Sequence, residues 1–179
     1  MKIKRGLLAS IALTEIAGLL GVPATRDALR SGWYDGLRKP AFAPPEYLYG
    51  PAWTLLYGLQ GYALRELWRA RDTPRGRQAL VAFATQLALN AAWSKAFFGR
   101  RSTRAGLVAA VALLLAVLWA TERSRRVSPG AAAAMLPNAA WIAFATALTA
   151  AIERHFGAAA ARKLCHENWI GVLERSWGG

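Results

Sequence analysis

Cysteine, histidine and acidic residues are the scarce components of this sequence. A single cysteine, Cys165, cannot build an intrachain disulfide framework, and two histidines, His155 and His166, add no metal-ligand cluster to it. Both histidines lie outside the apolar segments and read as surface residues rather than metal ligands. Ten Asp and Glu stand against 23 Lys and Arg, and no two carboxylates fall together inside an apolar segment. Paired-carboxylate catalysis, a Ser/His/Asp set and a phosphate-binding glycine loop all lack their residues. No catalytic apparatus is visible.

What the sequence does hold is apolar surface and positive charge, kept apart. The 179 residues are 55% hydrophobic yet carry a formal charge of +13. The bases come in short groups between apolar runs, for example Lys2, Lys4 and Arg5, Arg100, Arg101 and Arg104, and Arg123, Arg125 and Arg126. A nucleic-acid binder places its bases in a stripe or on one helix face. Basic flanks on apolar segments instead mark membrane spans, and nucleic acid is excluded as a partner.

Five runs are long enough to cross a bilayer, which needs roughly 20 apolar residues per helix: 6–24, 47–64, 79–99, 105–121 and 130–152. Lipid satisfies no backbone N–H or C=O, so Ala/Leu-rich runs of this length are helices. The expected fold is all-α, a five-transmembrane-helix bundle in a multi-pass integral membrane protein. It forms one domain over 1–157, with a long first loop at 25–46 and a polar tail at 158–179. In that tail Leu164, Trp169, Val172 and Trp177 could line an interfacial helix, or the tail is disordered. The first run also fits a signal peptide, but Glu15 within it argues for a span whose acid either serves a function or hydrogen-bonds a neighbouring Thr or Gln. Lysine and arginine divide 11 against 12 between the two sides, which sets no orientation.

The stretch 33–53, WYDGLRKPAFAPPEYLYGPAW, is the distinctive connection. Pro40, Pro44, Pro45 and Pro51 forbid a long helix there and stiffen the path. In the third run Gln86, Asn90, Trp93 and Phe97 fall in one narrow helical stripe, opposite a small-residue face of Ala84, Ala88, Ala92 and Ala96. The small face suits close helix approach, and the amide and aromatic stripe suits either neighbouring helices or something polar and flat. The second run repeats the theme with Trp53, Tyr57, Gln60 and Gly61, and the fifth with Pro137, Asn138, Trp141, Phe144 and Leu148. Trp68 and Trp119 read as interfacial belt residues.

These blocks resemble the TspO/MBR family, the tryptophan-rich sensory proteins related to the translocator protein. WYDGLRKP at 33–40, APP at 43–45, PAWTLLY at 51–57, QLALNAAWSKAFFG at 86–99 and LPNAAWIAFATAL at 136–148 occur in the family's order. Two positions depart: Asn138 where the family usually has Tyr after Pro, and Thr149 where Asn follows Leu. The resemblance implies a bundle, often a homodimer through small-residue helix faces, that binds tetrapyrroles such as protoporphyrin IX or haem, and benzodiazepine-type ligands. It implies no required cofactor. The implied ligand-binding positions are Trp33, Tyr34, Trp53, Tyr57, Asn90, Trp93 and Trp141, to which the stripe adds Gln86, with Asp35, Pro40, Pro44 and Pro45 in a lid. A sensor or regulator is the expected role. A transporter of porphyrins or other amphiphiles is the alternative, as is light-dependent porphyrin degradation, for which Trp53 and Trp141 are the matching positions.

Overall fold

The computed structural model describes residues 2–162, with side chains from Gly6 to His155. The main regular elements among the described residues are α-helices: α1 (Lys2–Leu19), α2 (Val22–Arg30), α3 (Tyr49–Arg69), α4 (Pro74–Ser94), α5 (Thr103–Arg125) and α6 (Pro129–Arg162). Five of these are long, and α2 is a nine-residue helix inside the first connection. The bundle closes as a ring in which α3 packs on α6, α6 on α5, α5 on α4 and α4 on α3, with α1 laid against α3.

Stretches Gly6–Arg30, Thr103–Arg125 and Pro129–His155 are long and apolar enough to cross a membrane by length and composition. Helices α3 and α4 have 21 residues each, about 32 Å at 1.5 Å per residue, which also matches the bilayer core. They are less apolar because they carry Gln60, Gln86 and Asn90, and all three turn inward. On α4 the expected division holds. Gln86, Asn90 and Phe97 are buried and Trp93 is partly so, while Ala84, Ala88 and Ala92 face outward.

The first run does not continue as one helix to residue 24. It stops at Leu19 and restarts as α2 at Val22, because Pro23 has no N–H for the Leu19 carbonyl and its ring would collide with it. At the break Gly21 passes close to α4, where an added Cβ would sit 2.5 Å from Ser94 Oγ. Helix α2 therefore occupies the beginning of the stretch read as loop 25–46. It ends on Ser31 and then Gly32, whose φ of 69° lies in the left-handed region that glycine accepts. Thr73 Oγ1 accepts from Gly76 N at the start of α4, and Ser102 Oγ from Ala105 N at the start of α5. Pro137 sits within α6 without ending it. Helix α6 runs on past residue 157 to Arg162; the tail residues Leu164, Cys165, His166, Trp169, Val172 and Trp177 lie outside the described residues.

Two contacts fix α1 on α3. Thr14 is fully buried and its hydroxyl donates to the Tyr57 carbonyl at 2.8 Å, an interhelical bond made by the residue before Glu15. Gly61 lets the backbones touch, since a Cβ there would lie 2.5 Å from Ile11 Cα. Gly61→Ala should therefore cost about 1–3 kcal/mol by forcing the helices apart. Gly58→Ala, with nothing within 4 Å of its added carbon, should be neutral or stabilising. Thermal unfolding of both variants in detergent checks the pair; equal midpoints would refute the close contact.

Candidate functional site

Aromatic residues of the first loop, α3, the end of α4 and α6 gather at one end of the bundle in two patches. The first is carried by α3 and α6. Trp53 stacks on Tyr57 one turn later at 5.5 Å and meets Trp141 edge-on at 6.2 Å; Trp141 in turn contacts Tyr49 at 5.9 Å and Phe144 at 5.8 Å. The i, i+4 spacing of Tyr49, Trp53 and Tyr57 aligns them along one side of α3.

The second patch forms at the end of α4, where the helix widens into a π turn over Lys95–Gly99. The extra residue in that turn swings two consecutive phenylalanines back toward Trp93, with ring separations of 5.8 Å to Phe97 and 5.9 Å to Phe98. Gly106 of α5 leaves room for this, because its missing Cβ would collide with the Phe97 ring. Onto this platform the first loop sets Trp33 against Phe97 at 5.4 Å and Tyr34 against Phe98 at 5.7 Å. Leu37 is buried with them among Phe97, Leu148 and Ile152. Phe42 reaches across to Phe144 at 6.2 Å, so the loop touches both patches.

Between the patches, Asn90 Nδ2 donates to Tyr57 Oη at 3.0 Å. Trp53, Trp93 and Trp141 border one apolar cluster with Leu113, Val117 and Ile142. The Trp93 indole N–H is buried and has no acceptor among the described residues. Lys39 secures the loop from outside: its ammonium lies 4.0 Å over the Tyr34 ring, 3.2 Å from Glu46 and 3.9 Å from Asp35. Pro40 closes a turn by accepting from Ala43 N, and Pro45 caps the Glu46–Leu48 turn that leads into α3; Pro44 is partly buried. Burial, followed by the neighbouring Tyr49, pushes the Tyr34 phenol above its ordinary value, so it stays neutral at physiological pH.

Seven of the eight expected ligand positions, Trp33, Tyr34, Trp53, Tyr57, Asn90, Trp93 and Trp141, are thus brought together. Gln86 is not. It donates to Gln60 Oε1 at 2.8 Å in the fully buried middle of the bundle. Tyr49, Phe98, Leu37 and Phe42 join the site without having been singled out. Tyr49 was legible from its spacing to Trp53, but Phe98 falls off the α-helical stripe and is turned in only by the π turn. Of the two departures, Asn138 is buried with neither amide atom partnered among the described residues, and Thr149 bonds back to the Ala145 carbonyl of its own helix. His155 is exposed, and the described residues hold no group of three or more His, Cys, Asp or Glu that could bind a metal ion.

Residues 10–155 match the model of the TspO/MBR family, a region that contains both patches and the loop. The chain belongs to the TspO/MBR family. Among relatives, it is 41% identical over 146 residues to the tryptophan-rich protein TspO of Archaeoglobus fulgidus, covering 82% of this chain and 94% of that one. It is 35% identical to the translocator protein of Sus scrofa over 156 residues, covering 82% and 89%. With the tryptophan-rich sensory protein of Cereibacter sphaeroides the figures are 36% over 116 residues, 62% and 71%.

In this TspO/MBR protein the Gln60–Gln86 bond is one of two side-chain links between α3 and α4, beside Asn90–Tyr57. Replacing either glutamine alone by leucine leaves the other amide buried without its partner and should cost about 1 kcal/mol. The Gln60→Leu/Gln86→Leu double variant should cost less than the sum of the two. Thermal melts in detergent read the cycle; additive costs would mean that the two side chains act independently.

Proposed function

We propose that this membrane protein binds a tetrapyrrole, protoporphyrin IX or haem, between its aromatic patches, and acts as a sensor or regulator of that ligand. The observation that carries the reading is the convergence of Trp33, Trp53, Trp93 and Trp141 from a loop and three helices at one end of the bundle. A porphyrin offers a wide π-face for offset or edge contacts with indole rings, and its apolar bulk suits an interhelical site. Its propionates require cations at the mouth. Lys39 stands there on the loop, beside the exposed Arg38, and such charge-assisted bonds favour carboxylates.

On this reading the loop at 33–45 is the cover, and ligand entry parts Trp33 and Tyr34 from the π-turn phenylalanines. The bundle itself, held in its middle by the Gln60–Gln86 bond, need not open. The outward Ala84, Ala88 and Ala92 face of α4 is the surface on which a second copy would pack to make the homodimer.

Titration with protoporphyrin IX, followed by the shift of its main absorption band, should saturate. Trp53→Ala and Trp141→Ala should each weaken binding about two- to tenfold. Isotherms unchanged in both variants would defeat the proposal.

A further inference from the structure

On the outer side of the α4–α5 hairpin, behind the turn that carries the second aromatic patch, the structure leaves an open groove of about 490 Å³. Its floor is apolar and made of small side chains: Ala96 from the π turn, then Ala105, Ala109 and Ala112 along α5, with Val108 standing exposed at its edge. The groove follows from local structure. The π turn draws Phe97 inward onto Gly106, and the chain then reverses through Arg101, whose φ of 48° is left-handed, before Ser102 caps α5. Below the arginines of that reversal, mostly alanine side chains line the outward side.

At the mouth of the groove stand Arg100 and Arg104, both exposed. Neither forms an ion pair or a side-chain hydrogen bond among the described residues. Several arginines at other helix ends are engaged: Arg65 and Arg69 meet Glu66, and Arg125 and Arg126 meet Glu122. Glu153 accepts from the Thr103 hydroxyl. Two guanidinium groups with no acidic partner among the described residues thus sit at the end of a membrane-crossing hairpin, above an apolar trough that runs toward the bilayer centre.

We infer that this groove is a binding site for an anionic phospholipid, its phosphate on Arg100 and Arg104 and one acyl chain along the alanine floor of α5. The anion found at the depth of a helix end is a lipid headgroup, and guanidinium pairs bind phosphate oxygens well. The apolar floor distinguishes a lipid from a free phosphate, which would gain nothing from it. The opposite end of the same seam provides the contrast. There a smaller groove of about 250 Å³ is bordered by Arg77, Gln78, Val81, Trp119 and Arg123, and the Arg123 guanidinium already donates to Gln78 Oε1 at 2.8 Å.

The test is native mass spectrometry of the purified full chain in detergent, titrated with phosphatidylglycerol or phosphatidylcholine. The wild type should retain phosphatidylglycerol about tenfold better, an effect of the size two interfacial arginines supply. Arg100→Gln/Arg104→Gln should abolish the preference, Ala109→Phe should lower retention of both lipids by filling the floor, and Arg123→Gln should leave the preference in place. A photoactivatable phosphatidylglycerol on the unmodified protein should label residues 96–112, a readout that does not depend on any variant folding. Equal retention of the two lipids, labelling confined to other segments, or a wild-type dimer that Ala109→Phe converts to monomer without changing lipid retention would each overturn the inference. The last outcome would make a second copy the occupant of the groove.

Discussion

Lipid offers no hydrogen bonds, and that constraint governs the arrangement of this bundle. A polar side chain on a crossing helix must find its partner inside the protein, or its burial costs as much as several apolar contacts gain. Helices α3 and α4 carry three of the four buried amide side chains among the described residues, Gln60, Gln86 and Asn90. Thr14 bonds the Tyr57 carbonyl, Gln60 bonds Gln86, and Asn90 bonds the Tyr57 hydroxyl. These three links set α1 on α3 and α3 on α4. The apolar remainder of α5 and α6 then closes the ring through small-residue packing around Ala120, Ala131 and Ala134.

The aromatic site inherits its position from that frame. Because Tyr57 is held from both sides, Trp53 stacked upon it has a fixed place, and Trp141 and Phe144 of α6 follow. The π turn at the end of α4 supplies the second patch by inserting one residue at the place where the loop returns. Stacking, edge contacts and the Lys39 clasp are individually small, on the order of 1 kcal/mol. The loop is therefore anchored by several weak contacts rather than one strong one, an arrangement that suits a cover that must lift. The outer groove belongs to the same turn, for the inward swing of Phe97 is what leaves the alanine floor open behind it.

Much of this was legible beforehand, for identifiable reasons. Apolar runs of bilayer length located the long helices, and the 3.6-residue period separated Gln86, Asn90 and Trp93 from the alanine face of α4. The family resemblance rested on motifs that turned out to lie in the matched region. What escaped was set by local backbone events or by pairing between distant residues. Pro23 carried the signal for the break after Leu19, yet apolarity alone extended the span across it. Residues 95–99 carry no mark distinguishing a π turn from an α-helix, so Phe98 was overlooked. Gln86 belonged to a stripe whose spacing fitted a ligand as well as a neighbour, and only the position of Gln60 on α3 resolves its role as a structural link.

The central claim is that the loop at 33–45 covers a tetrapyrrole held among Trp53, Trp93 and Trp141. Amide hydrogen exchange of the protein in lipid nanodiscs, with and without saturating protoporphyrin IX, tests it most directly. The account predicts that ligand slows exchange across residues 33–46 while the middle of α3 and α4 around Gln60 and Gln86 is unchanged. Exchange in the loop that is unaltered or faster at saturation would contradict it.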